Sequence, residues 1–244
     1  MNSKLEDVTA VDFPCETRTG PGAMVNLSID CAVFGLYQGR LRVLVVKYGQ
    51  GPRTGEWALP GGWVHVAESL DDAAVRHLRD LTGLEHKYLE QLRAFGQLDR
   101  VPDARIVTIA YYALVRPEDY ELVIGRTTSD VQWVDVNEPL KLIYDHNQIL
   151  DCALKSLRHK VRHEPIGFNL LPQKFTLLQL QELYEAILNV KLDKPNFRRK
   201  MAKMKLLVPC GEKQQHVAHR AAELYRFDEE IYQRLCEQGF TFEV

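Results

Sequence analysis

The chain has few cysteines and no arrangement of them that does chemistry. Five are scattered over 244 residues, at 15, 31, 152, 210 and 236, odd in number and without a paired Cys-x-x-Cys spacing. That pattern excludes a disulfide framework and a thiolate metal site, and it leads us to expect reduced thiols in a cytoplasmic protein. The eight histidines form no His-Glu-x-x-His or similar set. No run reaches the roughly 18 apolar residues of a membrane-crossing helix. The opening MNSKLEDVTAVDFPCETRTGPGAM has no apolar centre and does not read as a signal peptide.

A strong net charge is missing too: 31 Lys+Arg stand against 33 Asp+Glu, a balance of -2. The balance conceals an asymmetry. Between Lys155 and Arg220 there are 14 Lys+Arg and 5 Asp+Glu, so this third of the chain is strongly basic and the remainder acidic. Such a division suggests separate tasks within one or two domains. Clustered Lys and Arg bind polyanions by releasing their counterions. A merely solvated surface explains the charge equally well, so the pattern within each part has to decide.

In the acidic part, Val25–Phe34 alternates as a strand. A tight turn at Gln38-Gly39-Arg40 leads to a second strand, Leu41–Tyr48. After Trp57-Ala58-Leu59-Pro60 comes a glycine pair. Ser69 is placed to cap a helix with Asp72 three residues on, and Gly83 is placed to stop it. Residues 61–84 read GGWVHVAESLDDAAVRHLRDLTGL. Gly62, Glu68, Arg76, Leu78, Gly83 and Leu84 fall in the register of the Nudix box, which the segment resembles. Three glutamate positions of that box read His77, Asp80 and Leu81. They share one helix face. A Nudix hydrolase holds hard divalent cations there, which want several oxygen ligands. With one carboxylate left, the scaffold reads as kept and the chemistry as lost. We assign no catalytic residue and no metal ligand, and no cofactor is required.

In the basic part a helix from His146 to about His163 ends at Glu164-Pro165-Ile166-Gly167, which reads as a linker. Thr176 is placed to cap a second helix bearing Leu177, Leu180, Tyr184, Ile187 and Leu188. Pro195 suits the first turn of a third. In that third helix Phe197, Met201 and Met204 face a core, while Asn196, Arg199, Lys200 and Lys203, flanked by Arg198, make a cationic stripe. Leu206-Leu207-Val208 and Leu224-Tyr225-Arg226-Phe227 bracket a polar loop as a two-stranded wing, and a last helix covers about 228–237. This is the order of a winged helix-turn-helix, whose second helix enters the major groove. Asn reads adenine and Arg reads guanine there, and the wing grips phosphate.

Taken together, the chain resembles the Nudix-related transcriptional regulators of NAD metabolism, the NrtR type. WALPGGWVHVAESLDDAAVRHLRDLTGL, LEQLRAFGQLDRVPDARIVTIAYYALV, YDHNQILDCALKSLR and FTLLQLQELYEAILNVKLDKPNFRRKM followed by LYRF carry the resemblance. It implies an α+β chain: a Nudix α/β/α sandwich with a C-terminal winged helix-turn-helix domain. The expected divisions are an arm at 1–22, a ligand-binding domain at 23–145, a connecting helix and linker at 146–166, and the DNA-binding domain at 167–244. It further implies a homodimer on palindromic operator DNA of NAD biosynthesis genes, a repressor in sign, with ADP-ribose as the effector that releases the DNA. Lys47, Trp63, Glu68, Arg76, His77, Asp99 and Arg100 are the candidate ligand contacts. For Arg76 a structural role ranks slightly ahead, with Glu68 as its partner or as a loop anchor, and Arg53 is a weaker candidate. Tyr111 and Tyr112 read as core. Candidate DNA contacts are Thr176, Lys194, Asn196, Arg198, Arg199, Lys200 and Lys203, with Lys213, His216, His219 and Arg220 on or beside the wing. The alternatives are a regulator sensing a sugar or another nucleotide, a weak Nudix hydrolase rebuilt around Glu68, Asp80 and Asp99, and a protein-binding module without DNA.

Overall fold

A computed structural model describes residues 26–84, 88–102, 104–215 and 220–244. The two leading apolar runs form β1 (Leu27–Tyr37) and β2 (Arg40–Tyr48), an antiparallel hairpin. Its turn residues Gln38 and Gly39 both have positive φ, 50° and 72°. A two-residue turn of that kind matches the twist of the strands it joins. β3 (Trp57–Ala58) and β7 (Thr128–Asp135) pair with β2, and β4 (Gly61–Trp63) pairs with the first half of β1. On the other side of β1 lie β6 (Val107–Val115), parallel to it, and then β5 (Tyr88–Phe95).

The strand period of two sends alternate side chains to opposite faces. Ile29, Cys31 and Val33 of β1 pack with Leu44 and Tyr111 against Ala73, Ala74 and Leu78 of α1 (Leu70–Thr82). Ala32 and Phe34, with Val43, Val45 and Tyr112, join a cluster with Ile149, Ala153 and Leu157 of α2 (His146–His163). The result is the expected α/β/α sandwich, with both tyrosines in its core. Ser69 caps α1 through the Asp72 amide, and Gly83 closes it in the left-handed conformation.

The second cluster does not end with the sandwich. It continues into Leu180, Leu183, Tyr184 and Ile187 of α3 (Leu177–Leu188), Phe197 and Met201 of α4 (Lys194–Met204), and Leu206. The break after α2 is therefore a packed joint and not a free linker. Residues Pro165–Leu170 form a short 3-10 turn with Ile166 and Leu170 buried. A Cβ on Gly167 would lie 3.1 Å from Val161 Cγ2 and 3.3 Å from Leu183 Cδ2, so this glycine serves close packing.

Thr176 and Gln179 cap α3 reciprocally, and Asn189 ends it with a positive φ. Asp193 caps α4, with Pro195 in the first turn. β8 (Leu207–Lys213) and β9 (Glu223–Phe227) form the wing, whose Tyr225 also bridges to Phe175 at the head of α3. α5 (Glu229–Glu237) follows. Among the described residues no helix is long and apolar enough to cross a membrane.

Candidate ligand cavity and nucleic-acid interface

The box helix presents its polar groups to its own loop. Arg76 donates from Nε to Glu68 Oε2 at 2.8 Å and from Nη2 to Glu68 Oε1 at 2.6 Å. Nη2 also reaches the Trp63 carbonyl at 2.9 Å. The Arg76 hydrogen bonds hold the Glu68 carboxyl down at about 2, helped by the His65 amide. His77 is buried, and its Nε2 lies 2.9 Å from the same Trp63 carbonyl. Burial is the main cause of its lowered pKa, so the ring is neutral near pH 7. The imidazole packs onto Gly62, where a Cβ would collide with it.

These residues do not fit a hard divalent cation. Glu68 is engaged by Arg76, His77 offers one nitrogen already turned to a carbonyl, and Leu81 packs with Val46, Ala58 and Ile143. Asp80 pairs with its neighbour Arg79, at 3.5 Å. Among the described residues no group of three or more His, Cys, Asp or Glu is disposed to hold a metal ion.

A cavity lies beyond the box, at the start of α2. It measures about 310 Å³, and Arg53, Gln97, Asp99, Arg100, Tyr144 and Asp145 are among the residues that line it. Two of the seven expected ligand residues, Asp99 and Arg100, are therefore on its wall. Asp99 is exposed. The Arg100 side chain is only 3% exposed and held by carboxylates. It donates to Asp145 from Nε at 3.0 Å and from Nη2 at 2.8 Å, and to Asp30 of β1 at 3.3 Å. His146 accepts the Leu59 amide at Nδ1, 3.1 Å away, which leaves Nε2 as the protonated nitrogen of a neutral ring, 3.5 Å from Asp30. Lys47, Trp63, Glu68, Arg76 and His77 do not line this cavity. The Lys47 ammonium instead sits 5.5 Å from the centre of the Trp57 ring.

Sequence reasoning missed Asp30, Tyr144, Asp145 and His146 as site residues. Asp30 alone gave a signal, as a lone carboxylate inside an apolar strand. Arg53 is on the wall, its guanidinium 5.1 Å from the Tyr144 ring centre.

In the C-terminal part, Phe197, Met201 and Met204 are buried, so α4 turns the opposite side outward. Lys194, Asn196, Arg198, Arg199, Lys200 and Lys203 are all exposed. Arg199 Nη2 donates to Asn196 Oδ1 at 2.6 Å. Lys213 and Arg220 are exposed on the wing, and His216 and His219 lie outside the described residues. Thr176 does not join this surface: it is 2% exposed and its hydroxyl is committed to the cap of α3.

Known proteins combine the same parts. The NUDIX domain model matches residues 28–154, and the NrtR DNA-binding winged helix domain model matches residues 167–227. The chain is 35% identical over 205 residues to the ADPR responsive transcriptional repressor NtrR of Acinetobacter baylyi, covering 82% of this chain and 81% of that protein. The crystal structure of Shewanella oneidensis NrtR complexed with a 27mer DNA matches with a TM-score of 0.75 at 28% identity, covering 88% of this chain and 97% of that one. The NUDIX domain of the same Shewanella protein complexed with ADP ribose matches with a TM-score of 0.51 at 30% identity, over 55% of this chain and 90% of that one. With a Nudix sandwich and an NrtR winged helix built on one core, this chain belongs to the NrtR family.

Proposed function

We propose that the chain is an ADP-ribose-responsive transcriptional repressor of NAD metabolism genes, and that its Nudix domain binds the nucleotide without cleaving it. The observation that carries this reading is the placement of the cavity. It opens at the first turn of α2, and α2 shares one hydrophobic core with the helices that present the basic face of α4. A homodimer would set two α4 helices into successive major grooves of a palindromic operator. Asn196, Arg198 and Arg199 would read bases, and Lys194, Lys200, Lys203, Lys213 and Arg220 would hold phosphates. The relatives named above include one called ADPR-responsive and one solved with ADP ribose.

The composition of the box supports the non-catalytic reading. Attack on a diphosphate at neutral pH needs a metal or an activated water, and at the Nudix positions Glu68 is bonded to Arg76 and His77 to the Trp63 carbonyl. The test starts from a duplex selected out of a random pool by the full chain. Anisotropy titrations of that duplex then run with ADP-ribose, NAD, AMP and arabinose in parallel. ADP-ribose should weaken binding about 5- to 150-fold. No effect of ADP-ribose beside a clear effect of the sugar would replace this reading. Incubated with Mg²⁺ or Mn²⁺, ADP-ribose should yield no AMP at an enzymatic rate; turnover near ~1 per second would refute the non-catalytic assignment.

A further inference from the structure

Three consecutive residues at the head of α2 each hold a different part of the site. Tyr144 has φ of 50°, a left-handed conformation that a bulky residue adopts only under constraint, and its ring carries the Arg53 guanidinium. His146 binds the Leu59 amide. Between them, Asp145 occupies the N-cap position of α2 with φ -99° and ψ 16°, and its carboxylate makes no cap hydrogen bond. Aspartate is among the best capping residues, and its charge is favoured at a helix N-terminus. Here the carboxylate has been turned away to form both bonds to Arg100. Asp145 thus sits on Arg100 while the cap position of its own helix goes unused.

The far end of α2 is fixed to the DNA-binding part. Arg158 Nε donates to the Ile187 carbonyl of α3 at 2.9 Å, and Leu157 and Val161 are fully buried in the shared core. Lys160 also pairs with Glu90 of β5 at 2.7 Å. An 18-residue helix held at both ends is a continuous connection between the cavity and that part.

We propose that the Arg100–Asp145 pair is a ligand-operated latch that passes occupancy of the cavity to α2 and so to the winged helix. This rests on the effector reading above. An anionic group entering beside Arg53 meets the exposed Asp99 and the buried Asp145 on the wall. It repels the Asp145 carboxylate and offers Arg100 a substitute partner. Without Asp145 the buried guanidinium keeps only the longer bond to Asp30, at 3.3 Å, so a substitute anion on the vacated donors offsets the cost of release. Released, Asp145 caps α2, which requires its ψ to move from near zero to the extended range of ordinary caps. That rotation, next to the constrained Tyr144, reorients the start of the helix.

The test uses the full chain, the selected duplex and ADP-ribose. The wild type should lose about 5- to 150-fold in duplex affinity with saturating ADP-ribose. Asp145→Asn, which can cap the helix but holds Arg100 weakly, should bind the duplex as weakly without ADP-ribose as the saturated wild type does. Adding the nucleotide should then change its affinity less than about twofold. A thermal melt reports whether the variant folds as one unit. If it does not, Arg100→Lys takes its place, since it keeps the buried charge and loses the two-pronged geometry. The same expected loss and the same refuting outcome apply. A folded variant that responds as fully as the wild type overturns the latch and leaves the sensor reading intact. A wild type that does not respond sinks the sensor reading, and the latch with it.

Discussion

Replacing Phe197 by alanine should destabilise the Nudix sandwich as well as the winged helix, although Phe197 belongs to α4. Its side chain is 4% exposed and packs 5.8 Å, centre to centre, from the Tyr184 ring. Both lie in the cluster that runs through Leu157 of α2 to Phe34 and Tyr112 of the sheet. Truncating a buried phenylalanine costs about 3–5 kcal/mol. In a chain of this size each kcal/mol lowers the melting midpoint by about 2–4 °C, so a loss of roughly 6–20 °C is expected. The three tryptophans, Trp57, Trp63 and Trp133, are all in the sandwich, so their fluorescence reports that part alone. Far-ultraviolet circular dichroism reports the whole chain. The two midpoints should fall together. A tryptophan transition that stays at the wild-type temperature, beside a separate earlier transition in the dichroism, would show that the parts fold independently and would refute the single core.

Other outcomes follow from particular side chains. The Tyr184 hydroxyl is buried and has no hydrogen-bond partner among the described residues, so Tyr184→Phe should stabilise the chain by about 1 kcal/mol in urea unfolding; a loss of similar size would mean that the hydroxyl is bonded. His77 has a folded pKa below its usual 6.5 because it is buried, so the unfolded chain takes up a proton there that the folded chain does not. Stability should therefore fall as pH drops below about 6.5, and His77→Gln, which can still donate to the Trp63 carbonyl, should flatten that slope; an unchanged slope would place the titration elsewhere. Replacing Arg198, Arg199 and Lys203 together by alanine should abolish preference for the selected duplex, whereas Lys213→Ala should weaken all sequences alike and reduce the dependence on salt. Full affinity in the triple variant would count against α4 as the reading helix.

The parts of the fold that were legible in the sequence are those with local causes. The β1–β2 hairpin follows from alternation around Gln38-Gly39, and the starts of α1 and α3 follow from the caps Ser69 and Thr176. The pairing of Arg76 with Glu68 was also foreseeable, because one short loop and one helix bring them together. The latch was not. Asp30, Arg100 and Asp145 are separated by 70 and 45 residues, and they meet only because β1, the loop after β5 and the head of α2 converge at one end of the sheet. Nor was the joint at 165–170 legible. Proline and glycine there look like a flexible connection, and only the packing of Val161 and Leu183 against Gly167 reveals a close contact instead. Thr176 shows the converse: a hydroxyl that looks available in the sequence is consumed by the helix it begins.

The pair of hydrogen bonds to the Trp63 carbonyl, one from Arg76 and one from His77, has a consequence for how the cell could use the protein. In the box the groups that a divalent ion would otherwise organise are organised by a guanidinium and an imidazole. Both are covalently part of the chain and always present. The loop before α1 therefore keeps its shape without borrowing an ion from solution. If the response to nucleotide rests on such a frame, it should be insensitive to the free magnesium level and to chelation by ATP, and the dose–response curve in EDTA should superimpose on the curve in magnesium.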